Sequence, residues 1–271
     1  MVIATLLLLL AAPAPAGAAE DAAPQPAPVL SRIAAPEARQ GVASDGTHVY
    51  AVGNSEIGKY EVRTGRRIAR WSGDPALFPH INSCAVIGQD LVCAASNYPT
   101  VPQTSVVEIF DAQTLRHKAS RSLGPGTGSL TALDWHDGKW WAVFANYDDK
   151  GGEPGRDHRA TTLVRMDTEF RREAAWLFPA DILTRIAPKS ISGAAWGTDG
   201  RLYVSGHDRP EIYVMTIPDA GSVLTHVATI GVATHGQAID WDAKRPWTLW
   251  SIDRAGRELV ASDLSAAWPA R

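Results

Sequence analysis

The chain has 271 residues, with 26 Lys+Arg against 29 Asp+Glu and a formal net charge of −3. That near-balance gives no electrostatic footprint for nucleic acid or for an anionic membrane surface. A chain of this length can bury a sizeable core, and all-β folds of about 200–250 residues commonly form one domain. The first element in chain order is a targeting signal. Residues 2–12 form an apolar run, and Ala16-Gly17-Ala18 follows as a small-x-small cleavage site. Together they read as a secretory signal peptide over residues 1–18, although no Lys or Arg precedes the run. The run is too short to span a bilayer, and no later segment is long enough. Residues 19–28 are Pro/Ala-rich and read as a disordered lead-in. The remainder, 29–271, is expected to be one domain of a periplasmic or secreted protein.

Five similar units follow. Each opens with a small or amide residue and a short apolar strand, as in "QGVASDGTHVYAVG", "INSCAVIGQDLVCAAS", "GSLTALDWHDGKWWAVFA", "SISGAAWGTDGRLYVSG" and "GQAIDWDAKRPWTLWS". A tight turn comes next: Asp45-Gly46, Gly88-Gln89, Asp137-Gly138, Asp199-Gly200, or Lys244-Arg245-Pro246. A second apolar strand, a polar break and a third strand complete the pattern, and several copies add a fourth strand. Four-stranded units recurring at about 40–60 residues predict a β-propeller, all-β and five-bladed. No helical period of 3.6 stands out. A six-bladed ring, with a degenerate blade hidden in residues 148–184, is the alternative. The last unit lacks an outer strand. The segment "VLSRIA" at Val29–Ala34 can supply it, joining first and last blades and removing a free edge.

The only two cysteines lie in the second unit, in "NSCAVIGQDLVCAA". With Gly88 supplying the positive φ of a type II′ turn, Cys84 faces Cys93 in a non-hydrogen-bonded pair, where side chains approach most closely. A cross-strand disulfide is expected there, in keeping with export. Trp135, Trp196 and Trp241 fall late in the innermost strands. They read as packing between blades, not as a ligand platform.

In a propeller, the start of each inner strand and the loop between second and third strands meet on one face. The first set holds Gln40, His80 with Asn82, Ser129, Ser190 with Ser192, and His235 with Gln237. The second holds Asn54, Asn97 with Tyr98, Asn146 with Tyr147, His207 with Asp208, and Asp253 with Arg254. Asn and Asp at loop starts also shape turns by bonding their own backbone. The inner-strand starts carry no Asp or Glu, which argues against a carboxylate-pair glycosidase. His80, His207, Asp208 and His235 could hold a divalent metal, Zn²⁺ by imidazole or Ca²⁺ by a more oxygen-rich ring. Otherwise His80, His207, His235, Tyr98 and Arg254 form an acid/base set with a carboxylate clamp. Gln40, Asn54, Asn82, Asn97, Asn146, Tyr147, Asp208 and Gln237 would then bind ligand.

The elements "DGTHVYAVG", "DGRLYVSG" and "EIYVM" resemble the secreted propellers that include surface-layer-type repeat proteins and gluconolactonase-like proteins. The resemblance covers nearly all of the mature chain and implies a propeller. Gluconolactonase-like members hold a central metal with Glu and Asn in six blades. Asn54, Asn97 and Asn146 are comparable, but five units are counted here and no axial Glu matches, so catalytic residues do not carry over. Two classes of function stay open. One is an enzyme (lyase, isomerase or lactone hydrolase) acting on a small anionic molecule in one central pocket. The other is a non-catalytic binding or scaffold propeller with a small-molecule or protein partner. The five breaks differ in sequence, which favours one central site over five equivalent ones. A monomer is expected.

Overall fold

The structure, a computed structural model, describes residues 24–267. The signal-peptide segment, 1–18, lies outside the described residues. Chain order begins with β1 (Val29–Ala34). Blade one is β2 (Gly41–Ser44), β3 (His48–Val52), β4 (Glu56–Glu61) and β5 (Arg67–Ser72). Blade two is β6 (His80–Ile87), β7 (Asp90–Ser96), β8 (Thr104–Asp111) and β9 (His117–Pro125). Blade three is β10 (Ser129–His136), β11 (Lys139–Ala145), β12 (Thr162–Met166) and β13 (Arg172–Leu177). Blade four is β14 (Gly193–Trp196), β15 (Leu202–Ser205), β16 (Glu211–Thr216) and β17 (Thr225–Gly231). Blade five is β18 (Asp240–Trp241), β19 (Thr248–Asp253) and β20 (Glu258–Asp263). Each is an antiparallel meander, and β1 completes the fifth sheet as its outer strand, in the order β1-β20-β19-β18.

The ring therefore closes as the sequence predicts. Ile33 of β1 faces Leu259 and Ala34 faces Glu258 across the junction. Five apolar clusters fill the spaces between successive blades. Inner and middle strands are buried on both faces, which explains why they read as near-continuous apolar runs rather than alternating ones. Trp196 and Trp241 pack partly buried against such clusters, and Trp135 does so edge-on to Trp140. The β6–β7 hairpin has the expected register, with Cys84 opposite Cys93 and the two sulfurs bonded. Gly88 turns it at φ 63°.

Three features differ from expectation. The sixth-blade alternative fails, because residues 148–184 hold an irregular loop, one 3₁₀ turn, β12, β13 and the start of a helix. That helix, α1 (Ala180–Ile186), buries Ile182 and Ile186 against blades three and four. Seven residues span two turns, too few for a periodic signal to rise above its surroundings. The described part of the lead-in is seated, not free: Ala27 is buried and its N–H donates to the Gly231 carbonyl at 2.8 Å.

Two aspartates clamp neighbouring blades together at the far ends of the inner strands. Asp134 accepts the N–H of Trp135 at 2.7 Å and, from blade four, that of Trp196 at 2.7 Å. Asp240 does the same with Trp241 at 2.9 Å and, across the ring closure, Ser44 at 2.8 Å. Burial raises both carboxyl pKa values, that of Asp240 well above the usual carboxylate range, with the charge of Asp134 adding to the rise.

Candidate functional site

Loops from blades four, five and one converge on the face where sequence places the polar breaks. The β15–β16 connection, residues 206–210, carries His207 and Asp208. The loop before β18 carries His235, Gly236 and Gln237, and it lies directly on its neighbour. The His235 Nδ1 is 2.8 Å from the Asp208 carbonyl, and the Gln237 N–H donates to the Gly206 carbonyl at 3.1 Å. Gly236 permits this contact. It has φ 56°, and a Cβ there would sit 2.3 Å from the His207 carbonyl oxygen. Blade one joins through Gln40, whose carbonyl accepts the Ala238 N–H at 3.1 Å. The Gln40 Nε2 donates to the Asn54 Oδ1 at 2.7 Å.

The result is an open cleft of about 630 Å³ lined by Arg39, Gln40, Asn54, His207, Asp208, His235, Asp253, Arg254, Ala255 and Arg257. Within it the His207 Nδ1 is 2.5 Å from the Asp208 Oδ1, and the Arg254 Nη1 is 3.1 Å from the His207 Nε2. A guanidinium only donates, so the Nε2 must accept and the ring proton sits on Nδ1, held by Asp208. Burial, then the neighbouring Arg257, lower the Arg254 pKa. Among the described residues, neither Arg254 nor Arg257 has a carboxylate within 4 Å, whereas Arg39 lies 3.9 Å from Glu56. Three guanidiniums against the carboxylates of Asp208 and Asp253 make a cleft suited to anions.

The predicted residues divide into three groups. Gln40, Asn54, His207, Asp208, His235 and Arg254 line the cleft together. His80 does not line it. It packs with Tyr98 at a ring separation of 5.1 Å, and Tyr98 packs with Tyr147 at 5.0 Å. Burial drives the His80 pKa down to about 4, with Arg254 adding to the effect and Asn82 opposing it. Burial also raises the pKa of Tyr98 and Tyr147, so both phenols keep their protons. The amides of the remaining Asn residues bond nearby loops and strands. Asn82 donates to the Leu130 carbonyl, Asn97 to that of Pro102, and Asn146 to those of Thr127 and Ala160. Gln237 is buried at φ 71°, and its Nε2 has no hydrogen-bond partner among the described residues.

Sequence reasoning passed over Arg39 and Arg257. Arg257 occupies a positive-φ turn position, φ 55°, where glycine would be the default, and nothing in the sequence around it marks that.

The suggested metal set fares differently. His80, His207, Asp208 and His235 do not bring three ligand atoms together. Both His207 nitrogens face other partners, and the surrounding guanidiniums repel a dication. Among the described residues, the group whose ligand atoms all lie within 4.8 Å of one another is Asp148, Asp157 and His158. There the His158 Nδ1 is 2.6 Å from Asp148, and Asp157 is paired with Arg159.

No family model matches the sequence, and no curated protein matches it. Solved structures do. The PQQ-bound aldose sugar dehydrogenase of Streptomyces coelicolor is 15% identical, with 86% of this chain and 80% of that one covered at a TM-score of 0.54. A luciferin-regenerating enzyme is 9% identical, with 87% and 96% covered at 0.51. The hydrazine synthase of Kuenenia stuttgartiensis is 9% identical, with 83% of each covered at 0.50. Likeness at such low identity shows the fold alone: this chain shares the architecture of β-propeller proteins.

Proposed function

We propose that the protein is an exported propeller that binds a small anion in the cleft over blades four, five and one. It acts on that ligand by proton transfer, as a lyase, isomerase or lactone hydrolase would. One observation carries the reading: two guanidiniums without carboxylate partners among the described residues, Arg254 and Arg257, stand beside an imidazole oriented by a carboxylate. A surface guanidinium is ordinarily solvated or ion-paired. Here Arg254 stands at the open cleft with Arg257 beside it as a second cation, so an incoming carboxylate or phosphate would gain a charge-assisted, bidentate hydrogen bond. The His207–Asp208 pair supplies a base whose tautomer is set. The secretory leader expected from sequence, together with the disulfide, supports a periplasmic or extracellular location.

Titration calorimetry and NMR with a panel of small carboxylates and phosphates test this. Binding should weaken at least about tenfold in the Arg254→Ala, Arg257→Ala double variant and should fall with added salt. If no member of the panel binds, or if the double variant binds as well as the parent, the cleft is not an anion site. A plain binding protein would show the same affinities with no turnover and no effect of Asp208→Asn on any reaction.

A further inference from the structure

In the Asp148–Asp157–His158 cluster Asp148 is exposed and bonded to His158, and Asp157 is paired with Arg159. Buried Lys59 donates to the carbonyls of Ala112 and Gln113, which ties blade one to blade two. The contact between Arg254 and His207 leads further.

We infer that Arg254 masks the base and that the ligand's own carboxylate removes the mask, which restricts substrates to carboxylates bearing a transferable proton on the α-carbon or on an α-hydroxyl. This rests on the anion-binding reading of the cleft. The lone pair of the His207 Nε2 is the only place on that ring able to take a proton, and Arg254 already donates to it at 3.1 Å. While that bond stands, the base is occupied. Arg254 has no carboxylate within 4 Å among the described residues to hold it elsewhere. An arriving carboxylate offers two anionic oxygens against one neutral nitrogen, and guanidinium prefers the bidentate partner. The carboxylate then sits on Arg254, one hydrogen-bond length from the freed Nε2. Only an atom one or two bonds from the carboxylate carbon can reach that nitrogen. A proton on the α-carbon, or on its hydroxyl, meets this requirement. The step is a simple transfer: the proton passes to Nε2, its bonding electrons stay on the substrate, and the imidazolium so formed keeps its Nδ1–H on Asp208. With an α C–H the electrons spread into the carboxylate held by Arg254, while with an O–H they remain on oxygen as an alkoxide. 2-Hydroxy carboxylates, sugar acids among them, fit.

Acylation by diethyl pyrocarbonate reads the availability of the imidazole lone pair, and mass spectrometry resolves it residue by residue. The probes are lactate and, as a carboxylate without the hydroxyl, propionate, with chemical-shift titration run alongside to establish binding. Without ligand, His207 should react at least about tenfold more slowly in the parent than in Arg254→Ala or Arg254→Gln, since a hydrogen bond from a charged donor must be broken first. His235 should react alike in all three proteins. Subsaturating propionate, whose α C–H does not cap the nitrogen, should accelerate His207 in the parent and leave both variants unaccelerated, while lactate, whose hydroxyl donates to the freed nitrogen, should bind without that acceleration. Equal His207 rates in the parent and the two variants would overturn the mask. Bound propionate that leaves the parent's rate unchanged, or slows it, would overturn the gate while the cleft remains an anion site. If neither probe binds, the anion reading and the gate fail together. The two arginine variants still report separately whether Arg254 covers the base.

Discussion

Ring closure rests on a strand far in sequence from its partner, and Ile33 probes it. This side chain is 6% exposed and lies in the cluster between blades five and one with Val42, Tyr60, Trp250, Ile252 and Leu259. Replacing it by Ala removes three carbons. At about 0.8 kcal/mol for each buried methylene, the transfer loss is about 2.4 kcal/mol. The cavity left against the rigid Trp250 and Tyr60 rings adds to this, giving a total of about 3–4 kcal/mol, within the usual range of about 2–5 kcal/mol for such truncations. For a domain of this size each kcal/mol moves the melting temperature by roughly 2–4 °C, so a drop of about 6–16 °C is expected by calorimetry. Leu30 is the control. It lies on the same strand but is 50% exposed, so Leu30→Ala should cost about 0.5 kcal/mol or less. Urea unfolding with an unchanged m-value checks that the loss is one of stability. An Ile33→Ala variant that melts with Leu30→Ala would mean that β1 does not seal the ring.

Unfolded, unreduced protein should titrate with no free thiol, and the double replacement Cys84→Ala, Cys93→Ala should cost about 2–3 kcal/mol. The sequence separation is only 9, so little chain entropy is removed by the bridge; any free thiol in the unfolded parent would rule it out. The Asp134–Asp240 pair predicts a pH dependence with a defined sign. Folding raises both pKa values by burial, and Asp134 adds repulsion on Asp240, so the folded state holds its protons more tightly than the unfolded chain. Their contribution is therefore most favourable below the unfolded carboxylate pKa of about 4 and is lost as pH rises through the raised folded values. His136 beside Asp134 and Asp242 beside Asp240 modulate it in opposite senses. Asp134→Asn removes one like charge and should flatten the fall in stability between about pH 4 and 7. An identical slope in parent and variant would show that the two carboxylates do not interact.

The blade count, the β6–β7 register with its disulfide, and the seal by β1 were all legible in the chain. Each depends on local pattern: strand-length apolar runs, turn residues of defined φ, and one unit short of a strand. For the blades and the hairpin such signals lie within a few residues of the structure they specify, while the seal followed from a missing strand at one end of the repeats and a spare one at the other. Helix α1 was not legible, because two turns carry too little periodicity. The candidate site was legible in half. Position within the repeat predicted that Gln40, Asn54, His207, Asp208, His235 and Arg254 share a face. It could not tell that His80 turns to Tyr98, or that Asn82, Asn97 and Asn146 bond the backbone around them, because a loop side chain is aimed by contacts between blades. Gly236 shows this most directly, since its lack of a Cβ lets the loop before β18 lie on His207. The Asp134 and Asp240 clamps join N–H groups 62 and 196 residues away. No local pattern encodes such partners; only closing the ring brings them together.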